Sequence, residues 1–491
     1  MATEPRKMKT TPLPRLQTTL ACLISHAEPV TATVIYPFIP DFVRRTGITR
    51  GDERRTGYYA GVVESLFFIS ECLSVLYWGR ASDRVGRRPI LLLGPLGLGV
   101  AMIGFGLSKG FWQVMFWRCA QGVFNGNVGV VKTLIAEITD DTNLADALML
   151  TSLMWTVGVT IGPAMGGILS DPADQWPHLF GGAFFREYPY FLACAAASLF
   201  AFVPFVLCWF FLKETLKKRI CIGPTPTETD PLLLSGPPPS VTWHQKPRSP
   251  EPSLSSLITP NTPLQKSLTA HAFYSFSNMS YQVLIPLIYS TSIALGGLGL
   301  HPYTIGVIMG IDGVVNSVLC VGVWTPMLKR VGPKKMFLVS YAFHAGRVGI
   351  LMCARVVAAR EGCVSWVVWV LLAGQIGASS VAGTAYIGDA YLGLVDAAQA
   401  LIVKSAPPES LGAVNGIQQM ISSGLRGLAP TVASSVFALS LALSSSSSSL
   451  GGSGTVLGLG VMWRYLVDVL QITIIAVGVW MSRGLPSYTL C

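Results

Sequence analysis

The sequence predicts an all-α membrane protein with twelve transmembrane helices, arranged as two six-helix halves. Of its 491 residues, 51% are hydrophobic and only 12% are charged, whereas an ordinary soluble protein carries about 25% charged residues. Twelve apolar runs follow one another along the chain, and each is long enough to cross a bilayer as a helix. One local pattern also occurs twice, about half a chain length apart, which is typical of membrane proteins built from two repeats.

The apolar runs set the bounds of the predicted helices, because an α-helix rises about 1.5 Å per residue and the hydrocarbon core is about 30 Å thick. The first six helices are predicted at residues 16–40, 56–78, 89–108, 111–138, 144–170 and 188–213. The other six are predicted at residues 267–295, 302–328, 335–357, 363–390, 411–443 and 456–482. We expect the serine run at 444–449 to form a flexible outer loop.

These helices divide the chain into five predicted parts. A cytoplasmic tail at 1–15 precedes the N-terminal half at 16–213, and the C-terminal half at 266–484 precedes a second cytoplasmic tail at 485–491. Between the halves, residues 214–265 are rich in proline and serine and poor in apolar residues. Such a composition cannot bury enough apolar surface to fold, so we expect a disordered cytoplasmic linker.

Charge sets the predicted orientation in the membrane. The segment 79–89 places four arginines between the second and third apolar runs, and we expect a short loop on the cytoplasmic side by the positive-inside rule. Residues 78–88 align without a gap with residues 324–334, sharing a tryptophan, an Arg-Val-Gly core and a basic end. One connection departs from the rule, since the loop after the first helix is predicted outside yet carries Arg44, Arg45, Arg50, Arg54 and Arg55.

Three motifs resemble those of the major facilitator superfamily. The arginine-rich segment resembles the superfamily's loop 2–3 signature through Gly79, Asp83, Arg84, Gly86, Arg87 and Arg88. The pattern Arg118-x-x-Gln121-Gly122 resembles its fourth-helix motif. The fifth predicted helix is similar to the motif of its proton-coupled exporters through Gly158, Gly162, Pro163, Gly166 and Gly167. Within the superfamily, the chain most resembles the twelve-helix drug:proton antiporters and the zinc-induced-facilitator-like branch among them.

The resemblance implies a secondary transporter that works by alternating access around a site between the two halves. It favours proton antiport of a small organic molecule. Symport or uniport by the same fold is the first alternative, and a non-transporting receptor on the same scaffold is the second. An enzyme is not expected, because the sequence lacks a phosphate-binding loop, a nucleophile elbow and a metal-ligand cluster.

The expected partners follow from the same observations. They are a small-molecule substrate, protons and the lipid bilayer, with no cofactor and no metal ion, and the resemblance implies a monomer. The net charge of +10 does not predict binding to nucleic acid, because the basic residues cluster at the ends of apolar runs. The protein is expected to be a multi-pass integral protein of the vacuolar or plasma membrane.

Charged residues inside the predicted helices are candidates for the mechanism, because a charge within the bilayer needs a partner or a cavity. We predict that Glu28 or Glu71 exchanges a proton while Arg118 tunes it, and the alternative is that these residues form fixed ion pairs. Arg118, Asn125 and Lys132 are spaced by seven, which predicts one polar face on a single helix. The predicted substrate cavity comprises His26, Gln121, Asn125, Lys132, Tyr274, Asn278, Gln282, Asp312 and Arg426.

Three further groups have predicted mechanical roles. Asp83 is expected to pair with Arg87 or to cap a helix, and so to latch the two halves at the cytoplasmic face in one state. The alternative is that the arginines of this motif only set topology. The glycines and Pro163 of the fifth helix are expected to form a hinge or a seal and to bind nothing. Arg464 and Asp468 are expected to form a structural i, i+4 pair on one helix.

Overall fold

The computed structural model describes residues 11–140, 143–215, 262–319, 322–323, 327, 330–383, 411–449 and 462–485, and no β-strand occurs among them. The helices before the linker are α1 (Arg15–Thr33), α2 (Ile39–Arg45), α3 (Thr56–Val85), α4 (Arg87–Gly106), α5 (Phe111–Asn125), α6 (Val128–Ile138), α7 (Leu144–Ile168), α8 (Pro172–Gln175), α9 (Pro177–Phe180), α10 (Ala183–Glu187) and α11 (Phe191–Phe211). Those after it are α12 (Pro263–Ser290), α13 (Pro302–Leu319), α14 (Pro333–Glu361), α15 (Trp366–Gly383), α16 (Leu411–Ser449) and α17 (Leu466–Ser482).

The long helices give the predicted all-α membrane architecture. With α5 and α6 counted as one crossing, the described residues contain twelve long helical segments. Seven helices in this part of the chain are long and apolar enough to cross a bilayer by length and composition alone. Most of the predicted linker, together with parts of the eighth, tenth and twelfth predicted helices, lies outside the described residues.

The fourth predicted helix, 111–138, is wrong as a single helix. It is interrupted at Gly126 and Asn127, where α5 ends and α6 begins. A Cβ added to Gly126 would lie 2.2 Å from the Ser74 hydroxyl oxygen of α3, so α3 packs against bare backbone at this point. Glycine allows α3 to approach closely here, and it also lowers the stability of the helix that contains it.

Two predicted loops are also helical. The arginine-rich segment is not a loop, because α3 continues to Val85 and α4 begins at Arg87. The chain turns at Gly86 alone, whose φ of 119° favours glycine. The predicted serine loop at 444–449 instead extends α16 to Ser449, where Arg54 donates a hydrogen bond to Ser445 at 2.6 Å. Tertiary contacts of this kind override the weak helix propensity of serine.

The two halves contact each other at one end of the bundle. We call the end with the turn at Gly86 the basic end, and the opposite end the outer end. Near the outer end α3 packs against α16 and α7 packs against α13. Thr431 of α16 donates a hydrogen bond to Ser65 of α3 at 2.7 Å. A Cβ added to Gly167 of α7 would lie 2.5 Å from Cα of Gly306 in α13.

Four of the five outer arginines that depart from the positive-inside rule form ion pairs with acids in the described part of the chain. Arg45 lies 3.0 Å from Asp41 and also pairs with Asp171 in the connection after α7. A hydrogen bond from Arg54 holds the pKa of the Asp52 carboxyl below its usual value. The other pairs join Arg44 to Asp41 and Glu53, and Arg55 to Asp52. These ion pairs satisfy the arginines locally, but the connection still departs from the positive-inside rule, which counts Lys and Arg and not net charge.

Replacing Gly167 with alanine should shift the population away from this conformation. The added Cβ would meet the backbone of Gly306 and Pro302, which cannot rotate away as a side chain can. Overpacking of this kind costs about 1–3 kcal/mol. Electron paramagnetic resonance between spin labels at Asp174 and Tyr303 should report a longer distance in Gly167→Ala.

The matched control is Gly349→Ala in α14, because its new Cβ would have no atom within 4 Å in the described residues. The control should keep the wild-type distance. An unchanged distance in Gly167→Ala would show that the glycine contact does not hold the outer end closed.

Candidate functional site

A cavity of about 190 Å³ lies between the two halves. Its walls come from α1, α3 and α7 on one side and from α12, α13, α14, α15 and α16 on the other. The polar and aromatic side chains that line it are Thr33, Tyr36, Phe68, Trp155, Thr156, Thr160, Tyr274, Ser275, Asn278, Tyr281, Gln282, Tyr289, Asp312, Asn316, Arg347, Gln375, Ser379 and Arg426. Tyr274, Asn278, Gln282, Asp312 and Arg426 were predicted from the sequence, and their contact with a substrate stays a prediction.

Two buried carboxyl groups face each other beside this cavity. Glu28 of α1 is 5% exposed and Glu71 of α3 is 7% exposed, and each lies within electrostatic reach of the other, of Lys132 and of Arg426. Asn125 approaches both carboxyl groups. Among the described residues, however, Nδ2 of Asn125 makes no hydrogen bond of ordinary geometry, and the same is true of Oε2 of Glu71.

Arg426 belongs to the second half but faces the acids of the first. It extends from α16, lines the cavity, and places its guanidinium 5.5 Å from the ring centroid of Trp155 in α7. Its charge acts on both Glu28 and Glu71. The electrostatic attraction between Arg426 and these acids therefore crosses from one half of the bundle to the other.

Arg118 pairs with Glu64, and not with Glu28 or Glu71 as the proton-coupling hypothesis suggests. It lies 3.0 Å from Glu64, both side chains are at most 2% exposed, and it also donates a hydrogen bond to Gln121 at 2.8 Å. Glu64 and Glu71 are spaced by seven on α3, as Arg118 and Asn125 are on α5, and the two helices run in the same direction. The two positions are therefore about 10 Å apart along each axis. Arg118 is therefore level with Glu64, and Asn125 is level with Glu71.

Four residues predicted for the cavity do not line it. Asn125 and Lys132 lie beside the acid pair, and His26 and Gln121 have other neighbours. The His26 ring nitrogen Nδ1 lies 2.8 Å from the Met154 carbonyl oxygen, and its ring packs edge-on against Phe200. Gln121 is completely buried and donates toward Met102 Sδ at 3.4 Å. Both side chains point between helices of the first half, and sequence spacing cannot distinguish that orientation from one that faces the cavity.

The second half contributes an aromatic and charged wall. Arg347 of α14 donates a hydrogen bond to Asn278 at 2.9 Å and lies 3.8 Å from the ring centroid of Tyr281. Gln375 of α15 donates to the Tyr281 hydroxyl at 2.7 Å and accepts a hydrogen bond from Tyr289 at 3.1 Å. Gln375, Trp155 and Tyr36 were not predicted from the sequence, where the one signal for Gln375 is a lone amide in an apolar run.

The arginine-rich motif forms a network at the basic end. Arg87 lies 2.6 Å from Asp83 and 3.0 Å from Glu137 of α6, and Glu214 accepts hydrogen bonds from the backbone amides that begin α4. A Cβ added to Gly79 would have no atom of the described residues within 4 Å, and Arg84 is exposed. The Arg88 side chain donates a hydrogen bond to a backbone oxygen of α11. These contacts join helices of the first half. The predicted pairing of Asp83 with Arg87 is present, and the latch between the two halves that was predicted for one state stays a prediction.

The glycines of the α7 motif are packing positions. A Cβ added to Gly158 would lie 2.5 Å from Pro29, one on Gly162 would lie 2.2 Å from the Thr33 hydroxyl, and one on Gly166 would lie 1.8 Å from a backbone oxygen of Val34. Gly167 packs against α13 instead, and Pro163 lines the cavity. The motif therefore brings α7 close to α1 on one side and to the other half on the other side.

The predicted i, i+4 pair between Arg464 and Asp468 is wrong. Asp468 pairs with Arg355 of α14, and both side chains are at most 2% exposed. Arg355 also donates hydrogen bonds to the carbonyl oxygens of Gly296 and Arg464, whereas the Arg464 side chain donates to Ser444. Arg464 precedes the start of α17, so the helical spacing that the prediction assumed does not apply to it.

Comparison with known proteins identifies the family. The profile of the Major Facilitator Superfamily matches residues 22–430. The chain belongs to this superfamily. Efflux pump azaK from Aspergillus niger is 32% identical to this transporter over 451 residues, which is 90% of this chain and 85% of that protein. Protein ZINC INDUCED FACILITATOR 1 from Arabidopsis thaliana is 29% identical over 348 residues, 69% of this chain and 71% of that protein.

A solved structure supports the fold independently. A bacterial homolog of the human lysosomal transporter Spinster aligns with a TM-score of 0.63 and 13% identity, over 97% of this chain and 98% of that chain. The predicted fold class and the resemblance to efflux and zinc-induced-facilitator-like transporters are confirmed. The chain is a multi-pass membrane transporter of the major facilitator fold, and it is not an enzyme.

The buried pair of Arg118 and Glu64 gives a prediction about stability. Arg118→Ala leaves Glu64 buried without its cation, so the transporter should lose about 3–5 kcal/mol of unfolding free energy. The double variant Arg118→Met with Glu64→Gln removes both charges and should recover most of that loss. Thermal and denaturant unfolding in detergent measures both effects.

The control for this experiment is Lys109→Ala, which removes a cation from an exposed pair with Glu187 at the outer end. It should unfold like the wild type, because exposed ion pairs contribute little. If Arg118→Ala also unfolds like the wild type, Arg118 acts in transport and not as a structural ion pair.

Proposed function

We propose that this transporter exports a small organic molecule in exchange for protons, and that Glu28 and Glu71 form its proton-binding pair. The observation that carries the proposal is the position of this pair, beside the central cavity and facing a cation from the other half. Repulsion between two neighbouring carboxylates at low dielectric favours a state in which the pair holds one proton. Such a pair takes up and releases protons as its surroundings change.

Arg426 is the proposed link between the proton and the substrate. It lines the cavity and also faces the acid pair, so a substrate in the cavity and a proton on the acids both act on one guanidinium. Protonation removes negative charge that attracts Arg426 and weakens the attraction between α16 and the pair α1 and α3. The relative positions of the two halves then depend on proton occupancy, which is the requirement for coupling.

The proposed role of Arg118 is positioning. Its pairing with Glu64 and Gln121 fixes α5 against α3, and this fixes Asn125 two turns away beside the acid pair. Arg118 thereby acts on the proton site through helix position and not through its own charge. This assignment replaces direct tuning of Glu71 by Arg118.

The substrate class and setting are proposed from the cavity and the relatives. A volume of about 190 Å³ is below the roughly 300–1,000 Å³ of pockets for drug-sized ligands, which favours a small molecule, and six aromatic side chains line the walls. Export from the cytosol matches the naming of azaK as an efflux pump. The proposed location is the vacuolar or plasma membrane, and the proposed functional unit is a monomer.

Reconstitution in proteoliposomes tests the proposal. With an acidic lumen, wild-type transporter should accumulate a compound from an aromatic panel, because outward proton flow drives inward substrate flow in an antiporter. Glu71→Gln and Glu28→Gln should each lose this accumulation but retain exchange of labelled for unlabelled compound. Glu187→Gln, which neutralises an exposed outer acid, is the matched control and should behave as the wild type.

Each other outcome points to a different mechanism. Accumulation with an alkaline lumen would indicate symport. Equilibration that ignores the gradient would indicate uniport, and wild-type coupling in both glutamine variants would exclude this pair as the proton site.

A further inference from the structure

The wall of the cavity in the second half carries, besides Arg426, a cation and an anion that are not paired with each other. Arg347 of α14 and Asp312 of α13 both line the cavity and lie within electrostatic reach of one another. Among the described residues, the ion pairs with both side chains buried are Arg118 with Glu64 and Arg355 with Asp468. Arg347 and Asp312 thus face the same space as separate charges.

Arg347 is held by neutral groups. Its guanidinium donates to the Asn278 side-chain oxygen, contacts a ring nitrogen of His344 and lies over the face of Tyr281. The side chain is only 6% exposed, and its Nε has no hydrogen-bond partner in the described part of the chain. A buried guanidinium without a carboxylate partner favours binding of an anionic group, preferably a planar one with two oxygens.

Asp312 presents the opposite charge one helix away. Ser379 is its hydrogen-bonding neighbour, but its Oδ1 lacks a hydrogen-bond partner within the described residues. The same holds for Oδ1 of Asn316, which lies one turn further along α13 and also lines the cavity. Two acceptor oxygens on one helical face suit an ammonium group, which has several N–H donors and no acceptor.

Tyrosine rings lie close to these two charges. Asp312 is within electrostatic reach of Tyr281 and Tyr289, and Arg347 stacks on Tyr281. The amide of Gln375 bonds both hydroxyl groups and so fixes both rings. Fixed aromatic rings bind an aromatic body by stacking and edge-to-face contact with little loss of side-chain freedom.

We propose that the cavity binds a small aromatic zwitterion, with the anionic group on Arg347, the ammonium group on Asp312 and Asn316, and the ring among the tyrosines. This inference rests on the proposed function, in that it takes the cavity as the transport site. It places the charges that recognise substrate on the second half. The proton-binding acids lie on the first half, and Arg426 extends between the two sites.

Equilibrium binding to the full-length transporter in lipid nanodiscs, at one pH and without a gradient, tests the proposal. Three triads are compared, built on phenyl, 4-hydroxyphenyl and indole rings. Each triad contains the amino acid, the amine without the carboxylate and the propionate without the ammonium group. Wild-type transporter should bind at least one amino acid about 10- to 100-fold more tightly than its amine and its propionate, as expected for one charged hydrogen-bonding group.

The variants assign each charge to its group. Arg347→Gln should bind the amino acid no better than the amine, whereas Arg347→Lys should keep part of the preference. Asp312→Asn should bind the amino acid no better than the propionate, with Asp312→Glu as its conservative partner. Lys109→Gln and Asp174→Asn, which neutralise the same kinds of charge on the exposed outer surface, should retain wild-type selectivity.

Several results would overturn the proposal. They are equal affinity of wild type for all members of every triad, absence of binding by all nine compounds, and equal weakening of all members in both neutralised variants. Failure of the antiport proposal is recognised separately. In that case zwitterion selectivity persists in nanodiscs while transport in vesicles ignores the proton gradient.

Discussion

A charged side chain that is buried within the bilayer needs a partner, and this constraint organises the whole transporter. Each half meets it with one deeply buried ion pair, Arg118 with Glu64 before the linker and Arg355 with Asp468 after it. Each pair joins helices of its own half, since α5 meets α3 and α14 meets α17. Breaking such a pair would leave a lone buried charge, so each half is expected to move as a unit.

The charges around the central cavity follow a different arrangement. Glu28 and Glu71 belong to one half, whereas Arg426, the cation that faces them from α16, belongs to the other. A change in the charge of the acids would therefore act between the halves through Arg426, as well as on Lys132 within the first half. Glycine contacts at the outer end provide the complementary element, because they let α7 and α13 meet without side chains in the way.

The sequence identified the right residues more often than the right contacts. The sequence showed four polar residues in apolar runs: Glu64, Glu71, Arg118 and Asn125. The two acids are seven residues apart on α3, and Arg118 and Asn125 are seven residues apart on α5, which matches the levels at which they meet. The sequence left their pairing open, because the side from which one helix approaches another is not encoded in either helix alone. The break at Gly126 was also missed, since its cause is the approach of α3.

The sequence by itself determined the membrane class, the number of crossings, the family and the set of intramembrane charges. Hydropathy, charge and short motifs are local properties of the chain, so they can be recognised without knowledge of how the helices pack. Only the tertiary structure decided which acid meets which base, that Arg347 and Asp312 share a cavity without pairing, and that Arg426 faces the opposite half. Those relations depend on the rotation and register of helices that are distant in the chain, and a periodic pattern constrains neither.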